Sequence, residues 1–394
     1  MQKFLNTVVS SSTERLYQHS LERTIVELKE SAQKEREEDS MLTQGLALYI
    51  ASLGTDSEKI DNVKTKEQYL LIDKAREFLA HPGKELWLVQ GNAGAGKSLF
   101  GRYLERELWD KYQDGDLIPL FIPLPRIGII EKNLINKALE LKGIPKENIE
   151  KLMKKKFLFI LDGYDEISGK IQLLQKCKFN EPKNWQGKVI VSSRLQYLTS
   201  HEEQLLYPKH GNDDVKKSEE RCVKSYIIPF KKEQIKEYIQ GFCKSSFNSI
   251  KWTIGEYEEK IEQFTEVEEF LKEPFLLFLV LCVLPTLNKP AEEGQKVIIK
   301  RINLYRAFID SWFTSQFERI MQHARVDLIE YRQEDILNIF NNYAKDLAFD
   351  MSMKNTQVIK YGGSQGNFAK FFENQLGFQG CPLKRVSESL MPST

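Results

Sequence analysis

The order of segments along the chain predicts an α/β fold, a parallel sheet flanked by helices and followed by an all-α helical module. Three observations carry that reading. Strand-like apolar runs alternate with helical segments from residue 86 to residue 230, the arrangement that crossover helices impose on a parallel sheet. Several runs are unbroken, above all Phe157-Leu158-Phe159-Ile160-Leu161, as in strands buried on both faces. Beyond about residue 232 the pattern becomes almost wholly helical.

Taken in chain order, residues 12–38 set Leu16, Leu21, Ile25 and Leu28 among many charges, the spacing of an amphipathic helix. Residues Gly54 to Lys64 are polar and predict a linker. Thr65 with Gln68 reads as a capping box for a helix to Ala80, ended by His81-Pro82-Gly83. Strands are expected at Leu86–Gln90, Ile118–Leu124, Phe157–Leu161, Val189–Ser192 and Tyr226–Phe230, with helices at 98–112 and near 131–154. The polar stretch from His201 to Glu220 predicts a surface loop inserted in the sheet domain. Further helices are expected near 232–244, 255–284, 302–323 and 334–352.

A chain of 394 residues suits two or three compact units. Apolar residues at 41% and charged residues at 29% exclude the composition of a disordered chain. Lysine plus arginine (57) nearly cancels aspartate plus glutamate (56), so no net field draws polyanions and no nucleic-acid partner is expected. Cys177, Cys222, Cys243, Cys282 and Cys381 are scattered without a C-x-x-C pair, which predicts reduced thiols rather than a zinc site. Met1 to Ser12 lacks the apolar stretch of a secretory signal, and the most apolar run, Phe275 to Leu284, is about half a membrane span. A cytoplasmic chain without a membrane span is therefore expected.

The chemistry sits at three strand ends. Gly91-Asn92-Ala93-Gly94-Ala95-Gly96-Lys97-Ser98 fits G-x-x-x-x-G-K-[ST] between an apolar strand and a helix. Glycines there let backbone N–H groups turn toward phosphates, and the helix N-terminus adds a favourable dipole. Lys97 would neutralise the β and γ phosphates, the Ser98 hydroxyl would ligate Mg²⁺, and Leu99 completes the loop. Asp162 closes the second strand at the carboxyl edge, where an aspartate can hold Mg²⁺, and Asp165 and Glu166 are candidates to orient and deprotonate an attacking water. Arg194, after Val189-Ile190-Val191-Ser192-Ser193, is placed to sense a γ-phosphate. Asn288-Lys289-Pro290-Ala291 lacks the aspartate of a guanine-reading element, and three residues beyond Asp162 stands Asp165 rather than glycine, so adenine is the expected base.

These three motifs together resemble the NACHT branch of the STAND signalling NTPases, in which a small residue follows the Walker B aspartate, a position filled here by Gly163. Glu273-Pro274-Phe275-Leu276-Leu277 resembles the family's helical segment whose proline packs on adenine, although Pro274 also suits the first position of any helix. Leu304-Tyr305-Arg306-Ala307-Phe308 is similar to the helix that follows.

The resemblance, over residues 85–386, implies bound ATP or ADP with Mg²⁺ and a switch in which ADP holds a closed form and ATP opens it for assembly. It also implies protein partners, reached through the N-terminal helix or by self-assembly. The implied domains are an N-terminal helical segment and linker at 1–64, a P-loop nucleotide-binding domain at 65–231, a helical domain at 232–300, and a helical and partial winged-helix region at 301–394.

Pro382-Leu383-Lys384-Arg385-Val386 is similar to the segment leading into the family's winged-helix histidine, yet no histidine lies beyond His323. A chain truncated within the winged-helix region, without that β-phosphate clamp and without sensing repeats, is expected. The residues themselves support Mg²⁺-nucleotide binding with slow hydrolysis of ATP to ADP and phosphate. Two alternatives stay open: a hydrolysis-deficient nucleotide-binding scaffold, and a P-loop kinase or AAA-type ATPase. Lys97→Ala is expected to abolish ATP binding and leave the fold intact.

Overall fold

The structure is a computed structural model. It describes residues 2–286 except 39, 61–62, 128–129, 168, 212, 246–250, 263 and 266–269, together with 297–298, 306, 338, 341–342, 345–346, 348–349 and 352–353. The chain divides into two compact units, one of residues 1–254 and 269–277 and the other of 255–268 and 278–394.

The first unit is built on a seven-stranded sheet. Its strands are β1 (Leu53–Thr55), β2 (Tyr69–Leu70), β3 (Leu86–Gly91), β4 (Ile118–Pro123), β5 (Lys156–Asp162), β6 (Gln186–Arg194) and β7 (Cys222–Ile227), in the order β2-β1-β7-β3-β6-β5-β4. The five strands from β7 to β4 run parallel. The chain leaves β3 for the far edge at β4, returns through β5 and β6, and then crosses to β7 on the other side of β3. The strand order therefore reverses beside β3, and ligands of such sheets bind outside the carboxyl ends at that reversal.

Unbroken apolar runs have a simple cause here: successive side chains of one strand enter two different cores. Leu86, Leu88, Phe157, Phe159, Leu161, Val189 and Val191 face one, and Trp87, Val89, Leu158, Ile160 and Ile190 face the other. The second core is covered by α3 (Leu71–Ala80) and α4 (Lys97–Lys111) through Leu71, Ala75, Phe78, Phe100 and Leu104. Against the first lie α1 (Gln2–Glu38), α6 (Leu134–Leu141) and α7 (Lys146–Leu152). Short helices α2 (Ser40–Ala47) and α5 (Leu124–Ile127) precede β1 and follow β4.

Helix α1 is thus part of the sheet unit. Leu21, Ile25, Leu28 and Ala32, at helical spacing, enter the core, and polar bonds flank that stripe. The Lys29 ammonium donates to the Trp109 carbonyl (2.8 Å) and the Ser31 hydroxyl to the Lys142 carbonyl (3.2 Å). Glu35 pairs with Arg102 of α4 (3.0 Å) and Lys142. Arg36 approaches the fully buried Glu105 of α4, whose other oxygen accepts the Phe121 N–H of β4 at 3.0 Å.

Several expectations are corrected. The linker begins with β1, which pairs antiparallel with β7 and β2; a three-residue strand centred on Gly54 carries almost no periodic signal. No α-helix starts at Thr65–Gln68. Thr65–Glu67 is a 3₁₀ turn, the Gln68 amide donates to the Val63 carbonyl (2.6 Å), and α3 begins only at Leu71, after β2. Strand β7 lies at Cys222–Ile227 rather than 226–230, because Lys224 is drawn out to Glu203 and Glu219 while Ser225 accepts the buried Trp87 indole N–H. The stretch 201–220 holds a 3₁₀ turn at Glu202–Leu205 and helix α9 (Val215–Glu220), capped by Asp214, with α8 (Leu173–Lys176) earlier in the chain. After α10 (Lys232–Lys244), the expected helix 255–284 is broken into α11 (Ile254–Glu262), the short strand β8 (Phe264–Thr265) and α12 (Pro274–Val283).

In the second unit β8 pairs parallel with β9 (Val297–Ile298). The helices expected at 302–323 and 334–352 lie, isolated helical positions apart, outside the described residues, as do Asn288–Ala291, His323 and the 382–386 segment.

Candidate nucleotide-binding site

Three parallel strands end side by side, and each delivers one group of the site. Register places Gly91 of β3 beside Arg194 of β6 and Leu161 of β5 beside Val191, which brings Asp162 level with Ser192. The loop after β3 turns through Gly94 (φ +81°) and Gly96 (φ +90°) into the N-terminus of α4 at Lys97. At Gly94 a side chain is excluded twice, by the left-handed backbone and by Phe275 Cβ at 3.1 Å from where a Cβ would stand.

The Lys97 ammonium lies over this loop, donating to the carbonyls of Gly91 and Asn92, both at 2.9 Å. Burial pulls it below the usual lysine value, the Arg194 charge adds to that, and Asp165, Asp162 and Glu273 oppose it. All four groups therefore act on the Lys97 ammonium. Ser98, the next residue, is exposed. Leu99 packs its side chain toward Gly45 of α2, 3.5 Å from where a Cβ would stand, so only its backbone can serve the loop.

Asp162 is oriented by β6. Its Oδ1 accepts the Ser192 hydroxyl (2.5 Å), and that same hydroxyl accepts the Gly163 N–H at 2.9 Å. The turn Tyr164–Glu166 is pinned by fully buried Tyr164, whose hydroxyl donates to the Ile171 carbonyl (2.7 Å) and accepts its N–H (2.9 Å). The two acids that follow differ sharply. Asp165 is buried, with one oxygen accepting the Arg194 backbone N–H (3.0 Å) and the other the Arg194 Nε (2.8 Å). Glu166 is half-exposed and 4.0 Å from the Arg194 guanidinium; burial first, then Asp165 and Asp162, raises its pKa above the ordinary glutamate value.

Residues 273–275 close the loop from outside the five-strand core. Glu273 accepts the Asn92 side-chain N–H (3.0 Å), Pro274 is the first residue of α12, and the Phe275 N–H donates to the Gly94 carbonyl (3.2 Å). Pro274 is thereby held beside the phosphate loop. The motif reading gave no role to Ser192, Glu273 or Phe275. Ser192 stood inside a quoted motif, and the acidic Glu273 before Pro274 was the only local sign of the other contact.

A five-strand parallel core, with its glycine-rich loop beside the strand reversal and acidic and cationic residues on the neighbouring strand ends, has the architecture of P-loop NTPases. Residues 85–245 match the family model of the NACHT domain, and the chain carries a NACHT domain over that span. No curated protein matches the chain. Among solved structures it is similar to the Aeropyrum pernix ORC2 protein with ADPNP and ADP, at 11% identity over 85% of this chain and 87% of that one, with a TM-score of 0.39. It is likewise similar to the same organism's ORC1 protein in complex with DNA, at 13% identity over 80% of each chain and a TM-score of 0.35. Likenesses so distant carry no argument about what this chain binds.

Proposed function

We propose that this chain is a NACHT-type nucleotide-binding protein that binds ATP and ADP with Mg²⁺ and hydrolyses ATP slowly, as a conformational switch for assembly. One observation carries the reading: Lys97 sits in a glycine-turned loop at a helix N-terminus, in the field of Asp162, Asp165 and Arg194.

The residues fit the groups required. The backbone N–H groups of Gly94, Gly96, Lys97 and Ser98 and the Lys97 ammonium form an anion cradle, with Lys97 exchanging its two carbonyl partners, and the Ala95 N–H its Asn92 carbonyl, for phosphate oxygens. The Ser98 hydroxyl and the Asp162 carboxylate supply oxygen donors, which suit Mg²⁺. That ion, when bound, neutralises phosphate charge. Ser192 keeps the Asp162 carboxylate turned to the edge. Glu166 is the base that accepts the proton of the attacking water, since its raised pKa strengthens it as a base. Asp165 instead positions Arg194, whose charge stabilises the γ-phosphate. Pro274 packs on the adenine from its place beside the loop.

A scaffold that binds nucleotide without hydrolysis is the second reading, favoured by the double hold of Asp165 on Arg194, which leaves the chemistry to Glu166 alone. Single-turnover hydrolysis separates the two. Phosphate release that Glu166→Gln abolishes supports the slow ATPase, and tight ATP binding without phosphate release supports the scaffold.

A further inference from the structure

Two contacts outside the P-loop motif reach the loop on either side of Ala93. The Glu273 carboxylate accepts the Asn92 side-chain N–H at 3.0 Å, and the Phe275 N–H donates to the Gly94 carbonyl at 3.2 Å. Glu273 is 8% exposed, so its charge is little screened by water, and it joins Asp165 and Asp162, as the smallest of the three, in the field at the Lys97 ammonium. A hydrogen bond to Asn92 does not require a charge, since a neutral amide oxygen would accept the same N–H. Burying a carboxylate costs far more than burying an amide. That charge lies beside the phosphate loop, one hydrogen bond from Asn92.

We propose that Glu273, tied to the loop through Asn92, is a charge-reading residue of the nucleotide site: it weakens binding of a triphosphate more than that of a diphosphate. This rests on the reading that Gly91–Ser98 holds nucleotide phosphates. Every phosphate entering the cradle brings negative charge toward a buried carboxylate. The added charge of a γ-phosphoryl group meets the larger repulsion. Glu273 directly precedes α12. Glu273 is thus a specificity-determining residue, and its effect is a ratio of two affinities.

The test is calorimetric titration of the full chain with Mg-ATP and with Mg-ADP at low and high ionic strength. Glu273→Gln keeps an oxygen for Asn92 and removes the charge. It is expected to tighten ATP about five- to tenfold and ADP less, with the difference shrinking as salt is raised. Glu273→Asp, which keeps the charge, is expected to restore the ATP-to-ADP ratio. Should Glu273→Gln fail to fold, Asn92→Asp adds a second carboxylate at the same place and is expected to weaken ATP more than ADP. A wild-type chain that binds nucleotide, with an ATP-to-ADP ratio unchanged in these variants, overturns the charge-reading role and leaves the site assignment standing. A wild-type chain that binds neither nucleotide overturns the site assignment itself.

Discussion

Asp165 and Glu166 are neighbours in sequence with nothing local to distinguish them, yet the fold gives them different work. Asp165 turns into the interior and commits both oxygens to Arg194, whereas Glu166 stays half-exposed with a raised pKa. Replacing Glu166 with Gln should therefore lower single-turnover hydrolysis by about 100-fold or more with ATP affinity nearly unchanged. The sign of the pH dependence follows from the proposed role: a base at Glu166 must be deprotonated, so hydrolysis should fall on the acid side, at a pH above the ordinary glutamate value because the pKa is raised. A pH–rate profile checks this, and an acid limb at or below the ordinary value would assign the base elsewhere. Ser192 acts one step back. Ser192→Ala removes the hydroxyl that donates to Asp162 Oδ1 and accepts the Gly163 N–H; it should raise the Mg²⁺ concentration for half-maximal nucleotide binding about tenfold and lower the thermal midpoint somewhat, because the buried Gly163 N–H loses its acceptor. The P-loop was legible in the sequence because eight consecutive residues carry it. Ser192 and Glu273 were not, because their partners lie 30 and 181 positions away and only the sheet register and the return of the chain bring them together.

Elements show the same division between local and assembled information. The strands β3, β5 and β6 could be read directly, since two-sided burial demands runs such as Phe157 to Leu161. Strand β1 could not, because its three residues gain their conformation from β7 and β2. The amphipathic stripe of α1 was equally plain, but its destination was not. In the structure Leu28 is 1% exposed within the sheet unit's core, so Leu28→Ala should cost about 2–5 kcal/mol in chemical denaturation, and a loss near zero would show that α1 does not dock there. Although burial pushes Glu35 up, Lys142 and Arg102 hold its carboxyl below the usual range, so this pair favours the docked helix above the unfolded glutamate value and the benefit is lost as pH falls through the lower folded value. Gly187 is a sharper test of the sheet. It stands at φ +147°, and a Cβ there would lie 1.9 Å from the Phe157 carbonyl oxygen, across the β5–β6 ladder that carries Asp162 and Arg194. Gly187→Ala should lower the unfolding midpoint and weaken nucleotide binding together, seen by denaturation and titration on the same sample.

At the scale of the whole molecule, lysine and arginine nearly balance aspartate and glutamate, and among the described residues no helix is long and apolar enough to cross a membrane. The NACHT domain match at residues 85–245 covers all three strand-end motifs, and Glu273 and Phe275 reach the loop from beyond it. If the sheet unit binds nucleotide only when folded, saturating Mg-ATP should raise its thermal midpoint, by an amount corresponding to about 2.7 kcal/mol at 100 times the dissociation constant. The most direct test of the central claim is equilibrium titration of Mg-ATP and Mg-ADP against the wild-type chain and Lys97→Ala, with folding verified by the thermal transition. Saturable wild-type binding that weakens about 100-fold or more in a folded Lys97→Ala variant is the predicted result; equal affinity in the two proteins would contradict it.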